Sequence, residues 1–191
     1  MKNLIKSIKL TFVFCIFLSV CYVLVLWTYA QFAAPGKRGN VETVTLNGKV
    51  VGVANIGQRF TKDIYFWGRP SCAGNGYDGT SSAGSNKGIT NKSYLKEVEA
   101  RIDTFLQHHP YLKRSEVPAE MVTASASGLD PDITPTCAYI QIKRVAAARG
   151  WSEKEVKSLV EKHIEEPLFG LFGPSKINVL KLNVALDKYK K

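Results

Sequence analysis

The chain is poor in the residues that build reaction centres. It has three histidines, His108, His109 and His163, and none is spaced with thiols or carboxylates in a metal-binding pattern. No Cys-x-x-Cys occurs, so no metal centre is expected. There is no Gly-x-Ser-x-Gly nucleophile elbow and no internal repeat. Charge is missing altogether from Leu10 to Ala30, a run of 21 residues. That absence organises the rest of the chain.

As a helix the uncharged run is roughly 31 Å long, close to the thickness of a bilayer's hydrocarbon core. Trp27 and Tyr29 lie near its far end, where amphipathic rings suit a headgroup interface. Lys2, Lys6 and Lys9 precede it on a short tail, against Lys37 and Arg38 beyond it. The positive-inside tendency therefore predicts a cytoplasmic N-terminus and an extracytoplasmic C-terminal part. The competing reading is a signal peptide cleaved after Thr28-Tyr29-Ala30 or Phe32-Ala33-Ala34, but a signal's apolar region is shorter, about 7–15 residues. The expected organisation is a tail (1–9), a transmembrane helix (10–30), a linker (31–43) containing Pro35, Gly36 and Gly39, and one soluble domain (44–191). The expected location is the inner (cell) membrane, single-pass. Cys15 and Cys21 inside the run read as small packing side chains.

The net charge is +10. Three of the 26 Lys and Arg precede the span, which leaves 23 against 16 Asp and Glu. A basic domain suggests anionic partners, but the charges are scattered and cluster only at Lys188, Lys190 and Lys191. No nucleic-acid partner is expected.

The soluble part reads as α+β. Val44–Leu46 and Lys49–Val53 are strands joined by Asn47-Gly48, a pair suited to a two-residue turn with positive φ. A long aperiodic stretch from Tyr65 to Asn91 follows, and such loops are functional or mobile. Asn91 caps a helix to about His108, with Tyr94, Leu95, Val98, Ile102, Phe105 and Leu106 on one face and Glu97 and Arg101 as an i,i+4 pair. Thr134 and Pro135 open one helix to Arg149, closed by Gly150. Ser152 and Glu155 form a capping box for the next helix. The alternation in Ile177–Leu182 predicts a final strand.

Partial motifs carry little chemistry. Gly79 to Gly84 opens like a P-loop, but Ser85-Asn86 stands where Lys-Ser/Thr is required, and no apolar strand precedes it. Ser125 and Ser127 near Asp130 invite a signal-anchored extracytoplasmic serine hydrolase as the alternative function. Small residues for close packing and an Asp130-Pro131 turn explain the same pattern. Paired His108-His109 at a helix end fits the C-terminal dipole. Cys72 and Cys137, the remaining cysteines, are either a disulfide or two separate buried thiols. A disulfide closing that loop would stabilise the fold by roughly 4 kcal/mol.

Taken in order, several segments resemble one family. They are Ile56-Gly57-Gln58, Phe66-Trp67-Gly68-Arg69-Pro70-Ser71, Tyr77-Asp78, Ser82-Ala83-Gly84-Ser85-Asn86, Thr90-Asn91, Val117-Pro118 and Val122 through Asp130. Ile133-Thr134-Pro135, Gln141, Arg144-Val145-Ala146, Asn178-Val179 and Asn183 through Asp187 complete the set. This ordered series resembles KdpC, the C subunit of the Kdp potassium-transporting P-type ATPase.

The resemblance implies a non-catalytic accessory subunit of an ATP-driven potassium import pump. Its expected partners are the K+-translocating and ATP-hydrolysing subunits and a small membrane subunit. The chain itself carries neither a pore-filter loop nor a phosphorylation motif. The family is described as a catalytic chaperone that raises the ATPase subunit's affinity for ATP, and the resemblance carries a proposed nucleotide contact onto Gln141. No tightly bound cofactor is expected, ATP being associated through the ATPase subunit. The resemblance makes Trp67, Arg69, Pro70, Ser71, Tyr77, Ser85, Asn86, Thr123, Ser125, Ser127, Gly128 and Asp130 candidates for motif or partner contacts. Cys72 and Cys137 stand where the family leads one to expect alanine-like residues, which sharpens the disulfide expectation.

Overall fold

The computed structural model describes residues 2–33, 36 and 38–189. Ala34 of the cleavage-site alternative, Pro35 and Lys37 around the linker, and Lys190 and Lys191 of the basic C-terminus lie outside the described residues. The chain divides into two units, Met1–Thr43 and Val44–Lys191.

The first unit is the helix α1, Lys2–Phe32, interrupted by a π-helical turn at Leu18–Tyr22. It is longer than the uncharged run, because lysines are good helix formers and the tail simply continues the spiral. None of its apolar side chains is buried. Three of its hydroxyls are satisfied internally: Ser7, Thr11 and Thr28 donate to the carbonyls of Asn3, Ser7 and Leu24. A helix that pairs its backbone internally and leaves its large apolar side chains uncovered is suited to lipid.

The second unit is α+β. The strands β1 (Thr43–Leu46) and β2 (Lys49–Val53) form a hairpin, with Asn47 at φ 51° and Gly48 at φ 76° as the turn chemistry requires. The helix α2 (Lys92–His108) starts at Asn91, whose side chain accepts from the N–H groups of Ser93 and Tyr94. Only Phe105 on it is buried, so its apolar stripe lies at the margin of the core.

The segment after Thr134 is not one helix. It breaks into α3 (Pro135–Tyr139) and α4 (Ile142–Arg149), with Gln141 turned at φ −90° and ψ −13° between them. Gly150 ends α4 in the left-handed conformation at φ 65°. The capping box of Ser152 and Glu155 starts α5 (Glu153–Glu161), which buries Val156 and Val160.

The expected final strand is two residues long. β3 (Asp132–Ile133) pairs antiparallel with β4 (Ile177–Asn178), and the chain then winds into α6 (Val179–Lys188). The Asn178 side chain caps α6 by accepting from Lys181 N–H. Val179, Leu180, Leu182, Val184 and Leu186 are all buried, so α6 buries apolar residues on more than one face. A short, largely buried helix shows a weak one-sided period, which is why alternation misleads there. Phe66, Phe105, Met121, Ile133, Val145, Val156, Ile177 and Leu182 form the heart of the core between these helices.

Candidate functional site

The aperiodic stretch that precedes α2 is held by side chains where a sheet would use strands. Buried carbonyls need donors, and the segment Asp63–Trp67 finds them on α4, α6 and the turn between α3 and α4. Arg144 donates through Nη1 to the carbonyls of Asp63 (2.7 Å) and Tyr65 (3.0 Å). Arg149 Nε donates to Ile64 O at 2.6 Å. Asn183 accepts from Phe66 N–H (2.8 Å) and donates to Phe66 O (2.9 Å). Gln141 repeats this two-way pairing on Trp67, accepting at 2.8 Å and donating at 3.2 Å. Two amide side chains thus copy the hydrogen bonding of a neighbouring strand.

Gln141 is fully buried and its amide is used up. Its oxygen also accepts from Arg144 Nη2 (2.7 Å), and its nitrogen also donates to Cys137 O (3.0 Å). No donor or acceptor position remains for a nucleotide. Within the domain Gln141 serves as a structural clamp.

Arg144 is the hub of this cluster. Its Nε donates to His109 Nε2 at 2.9 Å, and its guanidinium lies 4.3 Å from the Trp67 ring centre. Burial lowers its pKa to about 10, still well above neutral. His109 stacks on Phe105 at 3.9 Å and donates from Nδ1 to Phe105 O. A proton on Nε2 would face the Arg144 N–H, so the ring is neutral, its pKa driven down to about 4 chiefly by burial. His109 is therefore a buried core imidazole and not a dipole partner at a helix end.

The sign of its pH dependence follows. The unfolded state gains a proton near pH 6.5 and the folded state only near 4, so the stability contributed by neutral His109 is complete above about pH 6.5 and drains away towards pH 4. Unfolding of the full chain in detergent is expected to lose about 2 kcal/mol between pH 7.5 and 5 from this group. His109→Gln, less stable throughout, should lose most of that slope; an unchanged slope would contradict the assignment.

The family-like motifs form a second lock beside the first. Ser71 Oγ donates to Gly128 O (2.6 Å) and accepts from the N–H groups of Ala73 and Tyr77. Tyr77, at φ 60°, donates its hydroxyl to Arg69 O at 2.6 Å, and burial pushes its pKa up to about 12. Arg69 pairs with Asp130 at 3.2 Å, and Asp130 also accepts from Asp132 N–H. Ser125 N–H donates to Pro70 O, while the Ser125 hydroxyl accepts from Gly128 N–H. Ser127 accepts from Leu129 N–H through its hydroxyl and from Ala83 N–H through its carbonyl. Gly128 sits at φ 68°, and a Cβ there would come within 2.6 Å of Ala83 O.

Both hydroxyls of the hydrolase alternative are thus turn-forming groups. His108 bonds Asp63, and His109 bonds Arg144 and Phe105. The structure leaves three candidates outside this lock. Thr123 bonds back to Ala119 O, Ser85 is half-buried, and Asn86 is exposed at φ 50°. Trp67 joins the first lock through its backbone and stacks on Arg144.

Of the two cysteine alternatives the structure has the separate thiols, Cys72 and Cys137 both being free. Cys137 is buried on α3, donates to Glu120 at 3.1 Å, and has its pKa raised to about 12 by burial. A thiol so far from ionising does not enter exchange at neutral pH. Among the described residues no group of three or more His, Cys, Asp or Glu is arranged to hold a metal.

A groove of about 630 Å³ runs beside the second lock, lined by Arg59, Arg69 and Arg101 together with Phe60, Trp67 and Tyr77. Arg69 Nε lies buried there without a hydrogen-bond partner. Arg144, Arg149, His109 and Asn183 escaped sequence reasoning as site residues. Two signals pointed to them: Arg144 and Asn183 stand in the family-like segments, and both are polar residues set among apolar helix positions.

These features define a class: a protein with one helix long and apolar enough to cross a membrane, and an α+β domain whose polar motifs lock its own loops together. The family model for "K+-transporting ATPase, c chain" matches residues 4–188. The potassium-transporting ATPase KdpC subunit of Phocaeicola vulgatus is 72% identical over 190 residues, covering 100% of both chains. Those of Bacteroides thetaiotaomicron and Flavobacterium psychrophilum are 69% and 53% identical, also over the full length of both. The chain belongs to the KdpC family of potassium-transporting ATPase subunits.

Proposed function

We propose that this chain is a non-catalytic subunit that assembles and stabilises an ATP-driven potassium import pump. In this reading α1 anchors it with the N-terminus in the cytoplasm, and the α+β domain caps the outer entrance of the K+-translocating subunit. Its partners are that subunit, the ATP-hydrolysing subunit and a small membrane subunit. Any influence on ATP affinity is transmitted through the assembly and not by contact with nucleotide.

The observation that carries the reading is Gln141, buried with both amide atoms fully engaged by Trp67, Cys137 and Arg144. The serine hydroxyls of the motif are likewise spent on turns. Motif side chains engaged with the domain's own backbone suit a scaffold. The lysines before α1 support the orientation through the positive-inside tendency.

Purification through this chain in mild detergent tests the assembly. Recovery of a multi-subunit, potassium-stimulated ATPase is the expected result, and recovery of a lone chain refutes it. Lys154→Cys, at an exposed position on α5, tests the orientation. A membrane-impermeant thiol reagent should label it in intact cells with the outer membrane permeabilised. Labelling only in inverted vesicles would overturn the topology.

A further inference from the structure

Between Glu166 and Ser175 the chain has no charge: Pro167-Leu168-Phe169-Gly170-Leu171-Phe172-Gly173-Pro174. In the structure it projects as a tight arm. Leu168 and Phe172 exchange both backbone hydrogen bonds at 3.0 Å, and Glu165 and Lys176 exchange theirs at 2.8 and 3.0 Å. The stem runs directly into β4, and Lys176 is tied to Asp132 at 2.7 Å. At the tip Phe169 is held at φ 55° and Gly170 at φ 71°. A bulky residue in the left-handed region is strained, and such strain persists where the surroundings impose it.

The four large side chains of the tip are exposed: Leu168 63%, Phe169 84%, Leu171 80% and Phe172 66%. Scattered exposed apolar residues need no explanation, but four within five residues on a preorganised turn form a patch. Preorganisation lowers the ordering cost of binding, and large aromatic and aliphatic side chains are the usual anchors of an interface.

We infer that this tip is a docking plug that inserts into an apolar pocket, rimmed by basic side chains, on another protein subunit of the pump. The charges beside the tip choose between protein and lipid. Tips that enter a bilayer surface carry Lys or Arg around the apolar residues and Trp or Tyr among them. Here Glu165 and Glu166 precede the tip, neither Trp nor Tyr occurs in it, and the lysine of the stem, Lys176, is committed to Asp132 and Glu165. Glu166, which accepts from Ser175 Oγ, leaves the stem with an excess negative charge that a basic rim on the pocket would complement.

This inference rests on the subunit reading above, and the test separates the two. The full chain is expressed with the rest of the pump, with p-benzoyl-phenylalanine replacing Phe169, and irradiated in native membranes. A covalent adduct with a partner subunit is expected. Adducts with lipid alone, or no adduct, overturn the plug. In parallel, Phe169→Ser with Leu171→Ser should lower the partner subunits recovered in mild detergent at least about tenfold. The thermal midpoint of the chain should be unchanged, since both side chains are exposed. If wild-type chain recovers its partners and the double variant does so equally well, the plug is wrong while the subunit reading stands. If wild-type chain recovers none, the subunit reading fails and takes the plug with it.

Discussion

Gln141→Leu is expected to destabilise the domain by about 3–5 kcal/mol while leaving the pump's affinity for ATP unaltered in whatever complex survives. Leucine nearly matches the volume but offers no polar atom. Trp67 would keep its N–H and C=O buried without partners, and Arg144 would lose the acceptor of Nη2. Each stranded neutral group costs about 1–3 kcal/mol, and a charged one more. For a chain of this size the melting midpoint should fall by roughly 10 °C, read by circular dichroism in detergent. The ATP concentration giving half-maximal turnover is the discriminating measurement. A direct contact would raise it; a clamp would reduce only the amount of assembled pump.

Arg144→Lys should be nearly as damaging although it keeps the charge. An ammonium is a point donor, and it cannot span the His109 ring, the carbonyls of Asp63 and Tyr65, and the Gln141 oxygen from one position. It also loses the flat face that rests on Trp67. The expected cost is about 3 kcal/mol, measured by denaturant unfolding. The double variant with Gln141→Leu should cost less than the two singles added together, because both sever the same 2.7 Å bond. Strict additivity would mean that the two residues do not work as one cluster.

Local signals were legible. Asn47-Gly48, Asn91, Thr134-Pro135 and the Ser152/Glu155 box each act through neighbours within a few residues, and the structure uses them as the residues suggest. Asn178 carried the same kind of signal. It was overridden because the apolar residues at Val179, Leu180 and Leu182 were read as an alternating strand where a largely buried helix stands. The break at Gln141 had no local signature at all. What Gln141 does there is set by a backbone segment 74 residues earlier, with which its amide pairs. The ordered motifs disclosed the family but not the work they do, because serine, glycine and aspartate suit a reaction centre and a tight turn equally well. Exposure was the least legible property: Leu, Phe, Leu and Phe around Gly170 look like core until the arm is seen to project.

The two-way amide pairs also set the order in which the domain can mature. The partner of Phe66 lies 117 residues downstream, at Asn183, within nine residues of the C-terminus. A chain emerging from the ribosome, or threading through a membrane, can place Gln141, Arg144 and Arg149 against that segment before Asn183 arrives to pair with Phe66. Non-local closure of this kind slows folding, because the intervening chain must be ordered before the contact rewards it. A stop before Asn183 would therefore leave Phe66 without its amide partner, while Trp67 and Tyr65 keep theirs on Gln141 and Arg144.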